Sequence, residues 1–232
     1  MGVFPMVEVL GWDQIDLDGY DVTARPFIKK AIEKPSALGS HVLEKVAEEV
    51  VYRACLGGVY YRTAAGICQV ICQREYEAEE ESAIPEYNFR CGLIGACRRM
   101  YQDHVTMRNT GVAHWIAFVR LMIRINEKVT VKGRQINAFT FLVFDCLCTL
   151  CQKPCVENLE ETDLLCSILH DVGQNLYENS PKKMEEVISH CRDMIIENDT
   201  DPDVRHMLME IVELKASNWK LPETVSQFYY ER

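Results

Sequence analysis

Apolar positions recur with helical spacing along almost the whole chain. Leu43, Val46, Val50 and Ala54 follow steps of 3, 4 and 4, which places them on one helix face. Leu164, Leu165, Ile168, Leu169, Val172 and Leu176 form a second such face. Val187, Ile188, Cys191 and Ile195 form a third, and Val204, Leu208, Ile211 and Val212 a fourth. No stretch carries a persuasive run of strand alternation. No Asn-Gly or Asp-Gly turn is framed by two strand patterns, and Asp18-Gly19 comes nearest.

Helix starts are marked by Ser40, by Asn158 with Glu161 three residues on, and by Ser180-Pro181 and Asp201-Pro202. Stops fall at Pro35, Gly57-Gly58 and Pro154. The pattern predicts helices near 23–33, 41–55, 59–76, 86–107, 111–128, 136–152, 159–178, 181–197 and 202–217. Short connections favour antiparallel neighbours. Helix hairpins begin near 59, 111, 159 and 202, a recurrence of roughly 40–50 residues that suits HEAT or armadillo repeats. The expected fold is all-α, a repeat solenoid of about five antiparallel helix pairs. It would occupy residues 23–218, after an N-terminal segment 1–22 of unassigned order and before an aromatic tail 219–232. The acidic run from Glu75 to Ser82, "EYEAEEES", is expected to be a solvated loop between two helices, ahead of Pro85.

Composition refines this picture without changing it. The chain has 232 residues, 48% hydrophobic and 26% charged, an ordinary balance for a globular protein. Its net charge of −10 argues against a protein wrapped generally around nucleic acid. The charge is uneven. Between Glu86 and Arg134 stand nine Lys or Arg against three Asp or Glu, so that strip is +6 inside an acidic chain. Scattered solvated side chains are one reading, and a patch for an acidic partner or RNA is the other. The N-terminus has neither a basic start nor a long apolar run, so no signal peptide is expected. Met6 at the sixth position argues against myristoylation. No apolar run reaches the ~18 residues of a membrane span. The sequon at Asn198 is expected to stay unused in a cytosolic chain.

The eleven cysteines concentrate in "DCLCTLCQKPC", which holds Cys146, Cys148, Cys151 and Cys155. In a helix, Cys148, Cys151 and Cys155 would share a face and Cys146 would point away. A closed zinc site wants four ligands in a tetrahedron, usually two pairs from separate turns. Pro154 interrupts the set, and no second pair has the usual spacing; Cys68 and Cys72 could join only from another helix. The surrounding "AFTFLVFDCLCTLC" is apolar nearly all round, so the expectation is core packing with free thiols, no metal and no cofactor. No catalytic motif accompanies His41, His104, His114, His170, His190 or His206. His190 and Cys191 are adjacent and point apart in a helix. No enzymatic activity is expected.

Several stretches together resemble a known family: "FIKKAIEKPSAL", "AAGICQVICQRE", "FRCGLIGACRRMYQDH", "FLVFDCLCTLCQ", "LHDVGQNL", "EIVELKASNWK" and the closing "FYYER". They are similar to the middle domain of translation initiation factor 4G, and most of all to its small stand-alone kind that binds the histone-mRNA stem-loop-binding protein. The resemblance spans roughly residues 23–232. It implies a helical-repeat fold and an adaptor in the cytoplasm and nucleus, joining the stem-loop-binding protein to the initiation machinery so that histone messages without a poly(A) tail are translated. Other implied partners are the 4G scaffold, the DEAD-box initiation helicase or the poly(A)-binding protein. mRNA would be engaged indirectly, with direct RNA contact as a rival reading, and a homodimer is among the implied assemblies. The cap-binding-protein motif of the large scaffold is absent, since no tyrosine here has leucine five residues later.

Two candidate surfaces follow. Arg90, Arg98, Arg99, Tyr101 and Arg108 form the densest basic-aromatic group, extended by Arg120, Arg124, Lys128, Lys132 and Arg134. An acidic protein segment is the first expected ligand and RNA the second. Trp219, Phe228, Tyr229 and Tyr230 either fold back to cap the last repeat or dock a partner.

Overall fold

The structure, a computed structural model, describes residues 15–82, 88–197, 199–223, 225 and 229. Among the described residues, ten α-helices run in chain order: α1 Arg25–Glu33, α2 Ser40–Cys55, α3 Tyr60–Ser82, α4 Asn88–Gln102, α5 His104–Thr110, α6 Val112–Lys128, α7 Asn137–Leu150, α8 Leu159–Asn179, α9 Pro181–Ile196 and α10 Pro202–Ala216. The all-α expectation holds. Among the described residues, no helix is long and apolar enough to cross a membrane. The chain divides into two compact units, Met1–Phe139 and Thr140–Arg232.

In the first unit, α2 packs chiefly on α4, and α3 on α6. The apolar stripe of α2, Leu43, Val46, Val50 and Ala54, is buried as its spacing requires. Trp115 and Phe118 of α6 and Phe89 of α4 supply the bulk of the same core. Gly92 lets α4 close on α2, because a Cβ there would stand 3.0 Å from the Cα of Glu44. In the second unit, α8 packs on α9 and α10, and α9 on α10. Leu165, Leu169, Val187, Ile188, Leu208 and Ile211 are fully buried there.

Four local expectations are corrected. The acidic run is not a loop: α3 continues through Ser82. Its Glu and Ala are strong helix formers, and its first member faces inward. Glu75 is 4% exposed, and its carboxylate accepts the backbone N–H groups of Phe89 at 2.7 Å and Arg90 at 3.1 Å. One side chain of α3 thus caps the start of α4. The expected helix 86–107 is two helices, broken at Asp103, where His104 Nδ1–H donates to the Tyr101 carbonyl at 2.6 Å. Ser40 does not cap α2; Gly39 takes the N-cap position with extended backbone, and Ser40 is the first helical residue. Finally, a small hairpin escaped the pattern. Thr130–Val131 pairs antiparallel with Arg134–Gln135 across Lys132 and Gly133, both at positive φ (52° and 71°), which is a two-residue turn of the primed kind. Two-residue strands leave no alternation to read.

Two other start signals are met by side-chain caps, whereas Ser180 takes the N-cap position of α9 without a side-chain hydrogen bond. Asn158 accepts from Glu160 and Glu161 N–H at 3.0 and 3.2 Å, and Asp201 accepts from Asp203 N–H at 2.8 Å. The expectations for residues 1–14, for Pro85 and for the Asn198 sequon lie outside the described residues.

The Glu75 cap gives a direct test. Glu75→Ala leaves two amides at a buried helix start without their acceptor, which should cost about 2–3 kcal/mol. Urea unfolding followed by circular dichroism should show a lower midpoint. A change within about 0.5 kcal/mol, the range of ordinary surface substitutions, would contradict the capping role.

Candidate partner-binding surfaces

The basic strip is dispersed by the fold, and much of its charge is already answered. Arg90 is buried at 7% exposure, with Nη2 donating to Glu79 Oε1 at 2.9 Å. It is structural, and the surface expected to include it does not. Its position inside the "NFRCGL" turn of α4 faces α3, which the sequence count of charges could not show. Arg99 turns onto α2 and pairs with Glu48 at 2.8 Å and Glu44 at 3.8 Å. Lys45, which hydrogen-bonds Glu48 at 2.7 Å, and more weakly Arg99 hold the Glu48 carboxyl below its ordinary pKa. Arg124 pairs with Glu127 one turn on at 2.9 Å. Lys132 sits 6.0 Å above the Tyr76 ring.

Tyr101 stacks on His104 at 5.0 Å, and His104 leans on the buried Trp115 at 5.5 Å, so that aromatic group continues the core outward. Arg108 and Lys128 are half-buried. Arg98 on α4, Arg120 on α6 and Arg134 in the hairpin stand exposed. The surface that remains is therefore smaller than the strip: Arg98 and Arg120 are its fully presented helical cations.

Trp219 and Tyr229 pack against their own unit. After α10 the chain reverses through Asn218 and Trp219, both at positive φ, and Trp219 N–H donates to the Leu214 carbonyl at 2.8 Å. The indole then lies on Gly173 of α8, so closely that a Cβ there would collide with Trp219 Cζ3. Tyr177 flanks it at 6.1 Å. Tyr229 is buried with its ring 4.7 Å from that of His206, and burial first, then Glu213, pushes its phenol up to about 12. For Trp219 and Tyr229 the geometry is that of a cap. Phe228 and Tyr230 lie outside the described residues.

The cysteine stretch is core. Cys146, Cys151 and Cys155 are buried, and Cys148 is half-exposed. Helix α7 ends at Leu150, so Cys155 sits on a separate 3-10 turn, Cys155–Glu157, and does not share a helix face with Cys148 and Cys151. Cys151 Sγ instead lies 3.6 Å from Cys191 Sγ. Among the described residues, no three His, Cys, Asp or Glu side chains are disposed to hold a metal. Burial raises the thiol pKa of Cys148 to about 11. His170 Nε2 meets Glu210 Oε1 at 2.8 Å across α8 and α10.

One feature was passed over in the sequence: an open groove between α8 and α10, walled by the polar stripes of both helices. Its signal was the spacing of Asp163, Ser167 and Asp171 opposite the apolar face. Such polar faces are common on exposed helices, and only the fold places two of them side by side.

Two measurements test these placements. Gly173→Ala gains up to about 1 kcal/mol of helix propensity but must displace the indole. It should therefore red-shift the tryptophan emission and raise its quenching by acrylamide, and the change should vanish in a Trp219→Phe background. An unaltered spectrum would mean that the ring does not rest there. Native protein treated with a thiol-reactive disulfide reagent near pH 8 should label quickly at one site, the exposed Cys91, with all eleven thiols appearing only on denaturation. Rapid labelling of Cys151 or Cys155, read by peptide mapping, would refute their burial.

Residues 18–218 match the MIF4G domain, a span that takes in all ten helices. The MIF4G domain-containing protein B of Danio rerio is 28% identical over 215 residues, covering 92% of this chain and 93% of that protein. The MIF4G domain-containing proteins of Rattus norvegicus and Homo sapiens are 27% and 26% identical over 219 residues, each covering 94% of this chain and 95% of theirs. By this match, which runs from before α1 to the Trp219 reversal, the chain belongs to the MIF4G domain family.

Proposed function

We propose that this chain is a non-enzymatic adaptor in mRNA translation. It links the histone-mRNA stem-loop-binding protein to the initiation machinery, in the cytoplasm and nucleus, and promotes translation of histone mRNA that lacks a poly(A) tail. The observation that carries this reading is the MIF4G match across residues 18–218, with relatives matched over 93–95% of their own lengths. The relatives so matched are themselves little longer than the matched span. Exposed Arg98 and Arg120 suit an acidic segment of the partner.

Direct RNA binding is the less supported reading. A strip that works by phosphate contact needs uncommitted cations. Here Arg90, Arg99 and Arg124 are paired with Glu79, Glu48 and Glu127. The DEAD-box helicase, the 4G scaffold and the poly(A)-binding protein remain the competing partners, and a homodimer the assembly to check by sedimentation.

Titration calorimetry with purified stem-loop-binding protein decides the matter, with the helicase and the poly(A)-binding protein as competitors. Saturable binding of micromolar strength or better is expected, weakened about tenfold by Arg98→Glu through loss of a complementary charge, with an unchanged melting curve. Heat only with the helicase or the poly(A)-binding protein would sink the histone-mRNA role and move the chain to general initiation.

A further inference from the structure

The second unit carries all of the net charge of the chain. Residues 140–232 hold eight Lys or Arg against eighteen Asp or Glu, a balance of −10, and residues 1–139 hold seventeen of each. Within that unit lies the groove between α8 and α10, with a volume of about 600 Å³. That is within the ~300–1,000 Å³ typical of ligand sites. One wall is the α8 stripe Asp163, Ser167, His170 and Asp171; the other is the α10 stripe Asp203, His206, Met207 and Glu210. Among the described residues, no lysine or arginine lines it.

The groove also has an apolar side. Leu159 stands 49% exposed at its edge, Met207 is half-buried within it, and Tyr229 closes one part with its ring against His206. Glu210 is 6% exposed and meets His170 at 2.8 Å, so the inner carboxylate is held in place, while Asp163, Asp171 and Asp203 stay open to solvent. Buried support behind exposed charge is an arrangement that can orient a ligand without collapsing onto itself.

We propose that this groove docks an arginine-bearing, otherwise apolar peptide segment of a partner protein. A guanidinium matches each part of it. Its fork takes two carboxylate oxygens at once, and its flat face stacks on rings such as His206 and Tyr229. Its aliphatic stem lies along Leu159 and Met207 while the head reaches the aspartates. The field of a −10 unit raises the local concentration of cationic segments and repels phosphate, which excludes nucleic acid from this face. The site is separate from the arginines that face the partner named above, and it stands or falls without that identification.

The test is fluorescence anisotropy with the full chain and a fluorescein-labelled nonapeptide carrying two arginines among leucines and alanines. A peptide with glutamates in place of the arginines is the control. The arginine peptide should bind saturably and the glutamate peptide should not. Asp163→Asn with Asp171→Asn should weaken binding about tenfold, as loss of a central charge pair does, with an unchanged melting curve. Leu159→Lys, at an exposed edge position, should also weaken it by placing a cation in the groove, and serves if the double variant melts early. No binding of the arginine peptide overturns the proposal. So does equal binding of both peptides, or undiminished binding by folded variants.

Discussion

Most of the described helices have one apolar face, and a lone hairpin cannot bury two such faces. The rest of the structure depends on how that need is met. Burial comes from consecutive neighbours, such as α2 on α3 and α9 on α10, and equally from non-consecutive ones: α2 on α4, α3 on α6 and α8 on α10. Packing of this kind brings together side chains distant in sequence. Glu75 reaches the amides of Phe89 and Arg90 across fourteen and fifteen residues. Because those amides would otherwise end in an apolar interior, the carboxylate is tied to the folded pairing and not to local helix propensity. Burial raises the pKa of Glu75, and the hydrogen bonds oppose that rise. The net upward direction means the folded state holds this proton more tightly than the unfolded chain. Stability from this group is therefore fullest below the ordinary carboxyl pKa, and declines as pH rises through the range up to the raised one.

Close approach is the second consequence. At Gly92 the contact is backbone on side-chain position, helix against helix, and at Gly173 it is a ring against a helix. The two glycines forgo helix propensity in different units for the same steric reason: another group occupies the volume of their Cβ. The reversal at Asn218 and Trp219 is what delivers the indole to Gly173. The end of α10 thus acts back on α8, and Tyr229, which follows both helices in the chain, lines the groove between them.

The helices were legible because their apolar spacing is set by burial, which the sequence must encode position by position. Leu43 to Ala54 and Leu164 to Leu176 show this, and the ends marked by Asn158 and Asp201 carry side-chain caps. Legibility failed where a residue type has two uses. Glu in "EYEAEEES" serves a solvated loop or a helix cap, and only the arrival of α4 selects the second. Arg90 looked like part of a basic surface, yet it lies 2.9 Å from Glu79. The same limit governs the candidate site. Counting charge from Glu86 to Arg134 gives +6, but the carboxylates that answer Arg90 and Arg99 come from α3 and α2, outside the counted window.

The separation of charge between the two units bears on what an adaptor of this family can do. A unit with balanced charge and a few exposed arginines discriminates by local complementarity, since its far field is near zero. A unit at −10 also steers at a distance, over the ~8–10 Å that physiological salt permits. If both proposed surfaces are used, the two units would offer different selectivity. The first should hold a partner whose acidic segment fits Arg98 or Arg120, with little dependence on ionic strength beyond that pair. The second should recruit cationic segments quickly and release them as salt is raised. Partners of opposite charge would then not compete for the same complementary charges, which is one requirement for linking one to the other.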